Sequence, residues 1–195
     1  MNIPKVSIIV PTKNNKRTIK KCIQSLLDQT YPNIEIIMID NFSDDGTDQI
    51  AIDLGINVIS FGPERNLQRP KGAEVATGDW LVFIDSDMYF SPWIIEDCMN
   101  QVQKDPMIKA FFLPEISVGK NFWTKCKTLE RAFYIYYKPL NMVRAIERTV
   151  YDQSGGWDKE LISGEDIDLH EKIQNLGVKI GRSSEFIEHD EGEIK

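Results

Sequence analysis

The sequence predicts an α/β fold with a mostly parallel central sheet flanked by helices. Two observations carry this. Short apolar runs, each the length of a strand buried on both faces, alternate with helical patterns through the first half of the chain. One of them, Leu81-Val82-Phe83-Ile84, stops abruptly at Asp85-Ser86-Asp87. Two carboxylates one residue apart would then leave the core at the C-terminal end of a strand, where open α/β sheets bind ligands.

Val6-Ser7-Ile8-Ile9-Val10 reads as the first strand, stopped by Pro11. Thr12-Lys13-Asn14-Asn15 follows as a polar loop. Thr18 can cap a helix whose core face is Ile19, Cys22, Ile23, Leu26 and Leu27, the i, i+3, i+4, i+7, i+8 series. Glu35 to Ile39 is a second buried strand ending at Asp40. The turn-rich stretch Asn41 to Thr47 leads to a short helix closed by Gly55. Asn57 to Ser60 is a third strand. Residues 61–70 carry Gly62, Pro63 and Pro70 and read as loop, with a short helix from Lys71 to Thr77. Alternation of this kind implies right-handed crossovers.

Past Asp87, Ser91 and Pro92 read as a cap and first-turn pair. Trp93, Ile94, Ile95, Cys98, Met99 and Val102 would line one helix face, and residues 108–114 another strand. Ser154-Gly155-Gly156-Trp157-Asp158 is a turn. Glu165 to Leu176 is a helix followed by Gly177, and Phe186 to His189 is strand-like. Residues 120–148 form a basic and aromatic island on an acidic chain, with Lys120, Lys125, Lys127, Arg131, Lys138, Arg144 and Arg148 set among Phe122, Trp123, Phe133, Tyr134, Tyr136 and Tyr137. Such a segment suits a membrane interface or an anionic ligand, or is an amphipathic helix with a solvated basic face.

Composition narrows the classes. The chain has 195 residues, and a net charge of -7 argues against general nucleic-acid binding. Cys22, Cys98 and Cys126 cannot all pair and lack metal-type spacing, which fits reduced thiols in a cytoplasmic protein. The first residues do not form a signal peptide, and no run reaches the ~18 apolar residues that span a bilayer.

Three predicted strand ends bear acids or amides: Thr12-Lys13-Asn14, Asp40-Asn41 and Asp85-Ser86-Asp87. On a doubly wound sheet they converge on one crevice. Oxygen-rich sites favour Mg²⁺ or Mn²⁺, and hard cations pair with phosphates, so a diphosphate substrate follows. No glycine-rich phosphate cradle follows the first strand, which disfavours P-loop NTPases and ordinary NAD enzymes. Glu165-Asp166-Ile167-Asp168 opens a helix. Acids there complement the dipole, or supply a general base. His189, beside Asp190 and Glu191, is a structural histidine or a metal ligand.

Taken in order, several stretches resemble the motifs of family-2 glycosyltransferases with the GT-A fold, the Rossmann-like fold of nucleotide-diphospho-sugar transferases. They are Val6 to Thr12 with Asn14, Asp40 to Thr47, Arg69-Pro70-Lys71-Gly72, Ala76 to Asp87, Gly155-Gly156-Trp157, and Gly164 to Leu169. The resemblance covers essentially the whole chain and implies one catalytic domain over 1–195, with a donor half to about 90 and an acceptor half from about 91. It implies donor contacts from Pro11, Thr12, Asn14, Asp40, Asn41, Arg69, Asp85 and Ser86. It places Asp87 and His189 on Mn²⁺ or Mg²⁺, Gly156, Trp157 and Glu165 on the acceptor side, and Asp166 as the catalytic base.

The implied reaction is inverting, metal-dependent transfer from a UDP- or GDP-sugar to an acceptor hydroxyl or a polyprenyl phosphate, the acceptor being a glycan or lipid-linked. It would take place in the cytoplasm, with peripheral membrane contact through about 120–148 and no nucleic-acid partner. Two departures stand out: Lys13 where many relatives have an aromatic, and Pro70 where many have asparagine. Relatives often continue into further helices or membrane spans, so a short or trimmed member is expected. The competing readings are a sugar-phosphate nucleotidyltransferase and a non-catalytic sugar- or lipid-binding relative.

Overall fold

The structure, a computed structural model, describes residues 3–62, 65–119, 125–126, 128–129 and 142–192. Its strands are β1 (Val6–Thr12), β2 (Ile34–Asp40), β3 (Asn57–Ser60), β4 (Trp80–Phe83), β5 (Met88–Phe90), β6 (Ile108–Phe112), β7 (Glu115–Val118), β8 (Val143–Glu147), β9 (Lys179–Arg182) and β10 (Ile187–Asp190). The helices are α1 (Ile19–Leu27), α2 (Thr47–Asp53), α3 (Gln68–Val75), α4 (Ile94–Lys104), α5 (Arg148–Ser154) and α6 (Glu165–Asn175).

Seven strands form one sheet in the order β3-β2-β1-β4-β8-β6-β9, and β5, β10 and β7 form a second, smaller one. The sequence dictates why β1 and β4 lie at the centre. Side chains alternate faces along a strand. In β1, Ile8 and Val10 enter one apolar cluster, with α1 and α4, and Ile9 enters the other, with α3, α5 and α6. Val82 and Leu81 of β4 divide in the same way. A strand wholly apolar on both faces is stable only between two helical layers, and each such buried side chain contributes roughly 1.5–3 kcal/mol.

Five expectations need correction. Pro11 does not stop β1, because it pairs with Ile39 of β2 inside the strand. Its missing N–H costs no ladder bond: alternate residues of β1 face β4, and that ladder closes earlier, at Ile84 N to Ile9 O. Thr18 does not cap α1 with its side chain, and Leu27, at the edge of the stripe on the last helical residue, is 46% exposed. The third helix begins at Gln68, before Pro70. A proline in the first turn removes an N–H that has no intrahelical partner in any case, so it does not hold the chain open there. Trp93 is the residue before α4, off its buried face, and is 54% exposed.

The strand order reverses between β1 and β4, since β2 and β3 extend to one side of β1 and β4 lies on the other. That is the switch point at which such sheets open a crevice. β8 runs antiparallel to β4, with Leu81 opposite Ile146 and Val82 opposite Ala145. Its first residues therefore stand where the parallel strands end. This carries Arg144 to the crevice end of the sheet, and its Nη1 lies 3.5 Å from the Phe83 carbonyl. In the smaller sheet β10 runs antiparallel to β5, with His189 opposite Met88, and parallel to β7.

Candidate functional site

A cleft of about 380 Å³ opens at the switch point. Of the residues expected at a donor and metal site, Pro11, Thr12, Asn41, Asp85, Ser86, Asp87 and His189 line it, together with Lys13 and Gln68. Gln68 carries no motif. Its Nε2 donates to the carbonyls of Thr12 (2.8 Å) and Ile39 (2.7 Å), joining the ends of β1 and β2 from the start of α3.

Asn14, Asp40 and Arg69 stand behind this lining. Asn14 holds a positive φ of 49°, a conformation asparagine tolerates. Its N–H donates to Ser43 Oγ and its Oδ1 accepts from Asp44 N, so it ties the loop after β1 to the loop after β2. Asp40 is buried, and its two oxygens accept from the hydroxyl and N–H of Ser43.

The turn after β4 is fastened from α1. Asn15 Nδ2 donates to Ser86 Oγ at 2.6 Å, and the Thr18 hydroxyl lies 3.0 Å from the Ser86 carbonyl. The same hydroxyl lies 2.7 Å from Asn15 Oδ1, so it serves this loop and not a helix cap. Arg69 stands beneath Asp85: Nη2 meets Asp85 Oδ1 at 2.6 Å and Nη1 meets Glu165 Oε1 at 3.2 Å. The Trp157 ring lies 5.1 Å from its guanidinium carbon, and Phe83 meets that ring edge-on. Trp157 is thus buried as a wall behind Arg69. Gly156, at φ 66°, leaves room for Tyr151, whose hydroxyl would stand 2.7 Å from an added Cβ.

Asp87 and His189 meet because β10 is stitched to the turn, with Asp190 N donating to Asp87 O at 2.9 Å. His189 Nε2 is 3.6 Å from Asp87 Oδ1, and Nδ1 is 3.7 Å from Glu115 Oε2. Burial disfavours the imidazolium, but the two carboxylates outweigh it and hold the His189 pKa up at about 9. Glu115 in turn is paired with Arg144. Burial alone would push Glu115 up, and Arg144 and His189 instead bring it down to about 2.

Asp166 follows Glu165 in the first turn of α6. Its Oδ1 is buried and accepts no hydrogen bond among the described residues. Burial raises its pKa, with Asp85 and Glu165 adding to the rise and Arg69 and Arg144 opposing it.

A sequence profile of glycosyl transferase family 2 matches residues 7–157. The chain belongs to this family. It is 28% identical over 163 residues to the glycosyltransferase GlyG of Streptococcus pneumoniae, covering 78% of this chain and 51% of that one. It is 35% identical over 112 residues to UDP-Glc:alpha-D-GlcNAc-diphosphoundecaprenol beta-1,3-glucosyltransferase WfaP of Escherichia coli, covering 55% of this chain and 43% of the other. The mannosyltransferase PcManGT of Pyrobaculum calidifontis, solved with GDP-Man and Mn²⁺, superposes with a TM-score of 0.74 at 19% identity, over 98% of this chain and 58% of that one. The fold is the GT-A fold of glycosyltransferases. The chain spans 31%, 44% and 51% of the length of three of the curated relatives it matches.

The family's implied divalent cation can be tested against these side chains. Among the described residues no three His, Cys, Asp or Glu side chains converge as a metal cage. Asp87 Oδ1 is buried and accepts no hydrogen bond there. Neighbouring ligands on a small octahedral ion at ~2.1 Å stand about 3 Å apart, and Asp87 Oδ1 and His189 Nε2, at 3.6 Å, need only a small approach to share one. One oxygen and one imidazole would suit Mn²⁺ better than Mg²⁺. The residues present fit such an ion.

The basic island is only partly visible. Most of 120–141 lies outside the described residues. Arg144 and Arg148 are described, and neither is free for a membrane surface. Arg144 pairs with Glu115, and Arg148 donates to the carbonyls of Gly78 and Ala76 beyond α3. Among the described residues no helix is long and apolar enough to cross a membrane.

Proposed function

We propose that this chain transfers a sugar, with inversion, from a UDP- or GDP-sugar to a hydroxyl of a glycan or lipid-linked acceptor. The observation that carries the reading is the arrangement around Asp85. Asp85, Ser86 and Asp87 share one cleft with the ends of β1 and β2. Arg69 links Asp85 through Glu165 to the helix start that bears Asp166. A donor site and a base are thereby joined by one buried guanidinium. One relative named for UDP-Glc and a neighbour holding GDP-Man support the donor class.

In this reading Pro11, Thr12 and Asn41 receive the nucleoside end of the donor, and Asp40 and Asn14 hold the loops that shape its pocket. Asp85 and Ser86 orient the ribose and sugar. Asp166 takes the proton from the acceptor hydroxyl, whose oxygen bonds to the anomeric carbon from the face opposite the diphosphate. The bond from that carbon to the diphosphate oxygen breaks, and its electron pair leaves with the nucleoside diphosphate. A divalent cation held by Asp87 and His189, when bound, supplies Lewis-acid stabilisation of that leaving group. Gly156 and Trp157 keep Arg69 in place on the acceptor side.

A thermal-shift series with UDP- and GDP-sugars, with and without MnCl₂, tests this. A ligand of the native state raises the unfolding temperature as RT ln(1 + [L]/Kd). One nucleotide sugar should do so, more strongly with Mn²⁺. No shift with any of them would overturn the reading.

A further inference from the structure

Glu115 matches no motif, yet it stands directly behind His189. The imidazole lies between two carboxylates, with Nε2 toward Asp87 Oδ1 and Nδ1 toward Glu115 Oε2. The two oxygens of Glu115 have separate tasks. Oε1 is held by Arg144 Nε, and Oε2 addresses the ring. Arg144 is itself anchored near the Phe83 carbonyl at the end of β4. The backbone accounts for the meeting: β7 and β10 are parallel, Ile187 opposite Glu115 and His189 opposite Ser117. His189 and Glu115 are therefore diagonal neighbours, within the reach of two long side chains.

We propose that Glu115 is a positioning residue for the cation pair. It accepts from Nδ1–H of His189 and so leaves the Nε2 lone pair for a cation shared with Asp87. An imidazole binds a metal through one nitrogen only when the proton sits on the other, and a carboxylate behind the ring selects that arrangement. The side chains of Glu115, His189 and Arg144 are 28%, 18% and 13% exposed, so water competes little for these contacts. The inference rests on the reading that His189 and Asp87 hold a divalent cation.

The test is a double-mutant cycle on Mn²⁺ affinity, read from the free-ion electron paramagnetic resonance signal during MnCl₂ titration of the full chain. Glu115→Gln is expected to weaken Mn²⁺ binding by about 10–100-fold, the usual effect of losing an outer carboxylate. His189→Ala should also weaken it. The double variant should bind no worse than His189→Ala, because Glu115 acts only through the ring. Additive losses, or unchanged affinity in Glu115→Gln, overturn the proposal while leaving His189 as a ligand. Unchanged affinity in His189→Ala overturns both. If Glu115→Gln fails to fold beside Arg144, Glu115→Asp keeps the charge and withdraws it from the ring. Its Mn²⁺ affinity must then fall, and wild-type affinity would overturn the proposal.

Discussion

Arg69 Nη2 lies 2.6 Å from Asp85 Oδ1, with 4% of the arginine side chain exposed. Its other nitrogen meets Glu165, so removing the guanidinium leaves two carboxylates facing each other in a partly buried place. Breaking a buried pair from one side costs about 3–5 kcal/mol. Arg69→Met should lower the stability measured by urea unfolding by that order. Arg69→Lys keeps the charge but loses the fork that serves two partners, so it should recover only part of the loss.

Asp166→Asn removes the proposed base and keeps its shape. Turnover is expected to fall ~10²–10⁴-fold. Donor affinity by calorimetry should stay near wild type. Because burial raises the Asp166 pKa, the acid limb of the wild-type rate profile should lie higher than an exposed aspartate would place it, and should disappear in the variant.

Asp87→Ala takes away the buried oxygen that faces His189. UDP or GDP binding measured with Mn²⁺ should weaken, and the gain that Mn²⁺ gives to wild type should vanish. An equal Mn²⁺ effect in both proteins would remove Asp87 from the cation site.

Glu35 provides a pH test far from the cleft. Burial would raise its pKa, but Lys5 at 2.7 Å and the hydroxyls of Ser7 and Thr77 bring it down to about 2. A carboxyl lowered by folding contributes stability that is complete above its unfolded pKa and is lost as pH falls through the folded value. Glu35→Gln should therefore be less stable than wild type at pH 7. The gap should close between about pH 4.5 and about 2, as read from urea midpoints.

Gly72 marks where α3 crosses β1. A Cβ there would stand 2.3 Å from Ile9 Cγ2, on a stiff β-branched side chain in the core. Gly72→Ala should cost about 1–3 kcal/mol despite alanine's better helix propensity, and a denaturant melt would show it.

The buried strands were readable because a strand apolar on both faces leaves an unbroken run, as in Leu81 to Ile84. Asp85 and Asp87 were readable because they end such a run. β5 and β9 were not: three residues show no period, and Lys179 to Arg182 is a half-exposed piece with no apolar run. Glu115 and Gln68 gave no signal either, and Arg144 none beyond its place in the basic island. Each reaches the crevice through strand pairing or a helix start that is fixed only when distant segments pack. Thr18 and Pro70 misled for a related reason. Their local preferences were real, but Asn15 and Ser86 hold the hydroxyl, and the first helical turn had no use for the missing N–H.

β10 is held to the turn after β4 by Asp190 N and Asp87 O, across about a hundred residues of chain. Closing so long a span carries an entropic cost that short hairpins avoid, and distant pairings slow folding. β1 to β4 can pair as soon as they exist, whereas Asp87 gains its imidazole only after β10 docks. Cation binding would then report the last act of folding. A refolding chain should regain its secondary structure first and its capacity for Mn²⁺ afterwards.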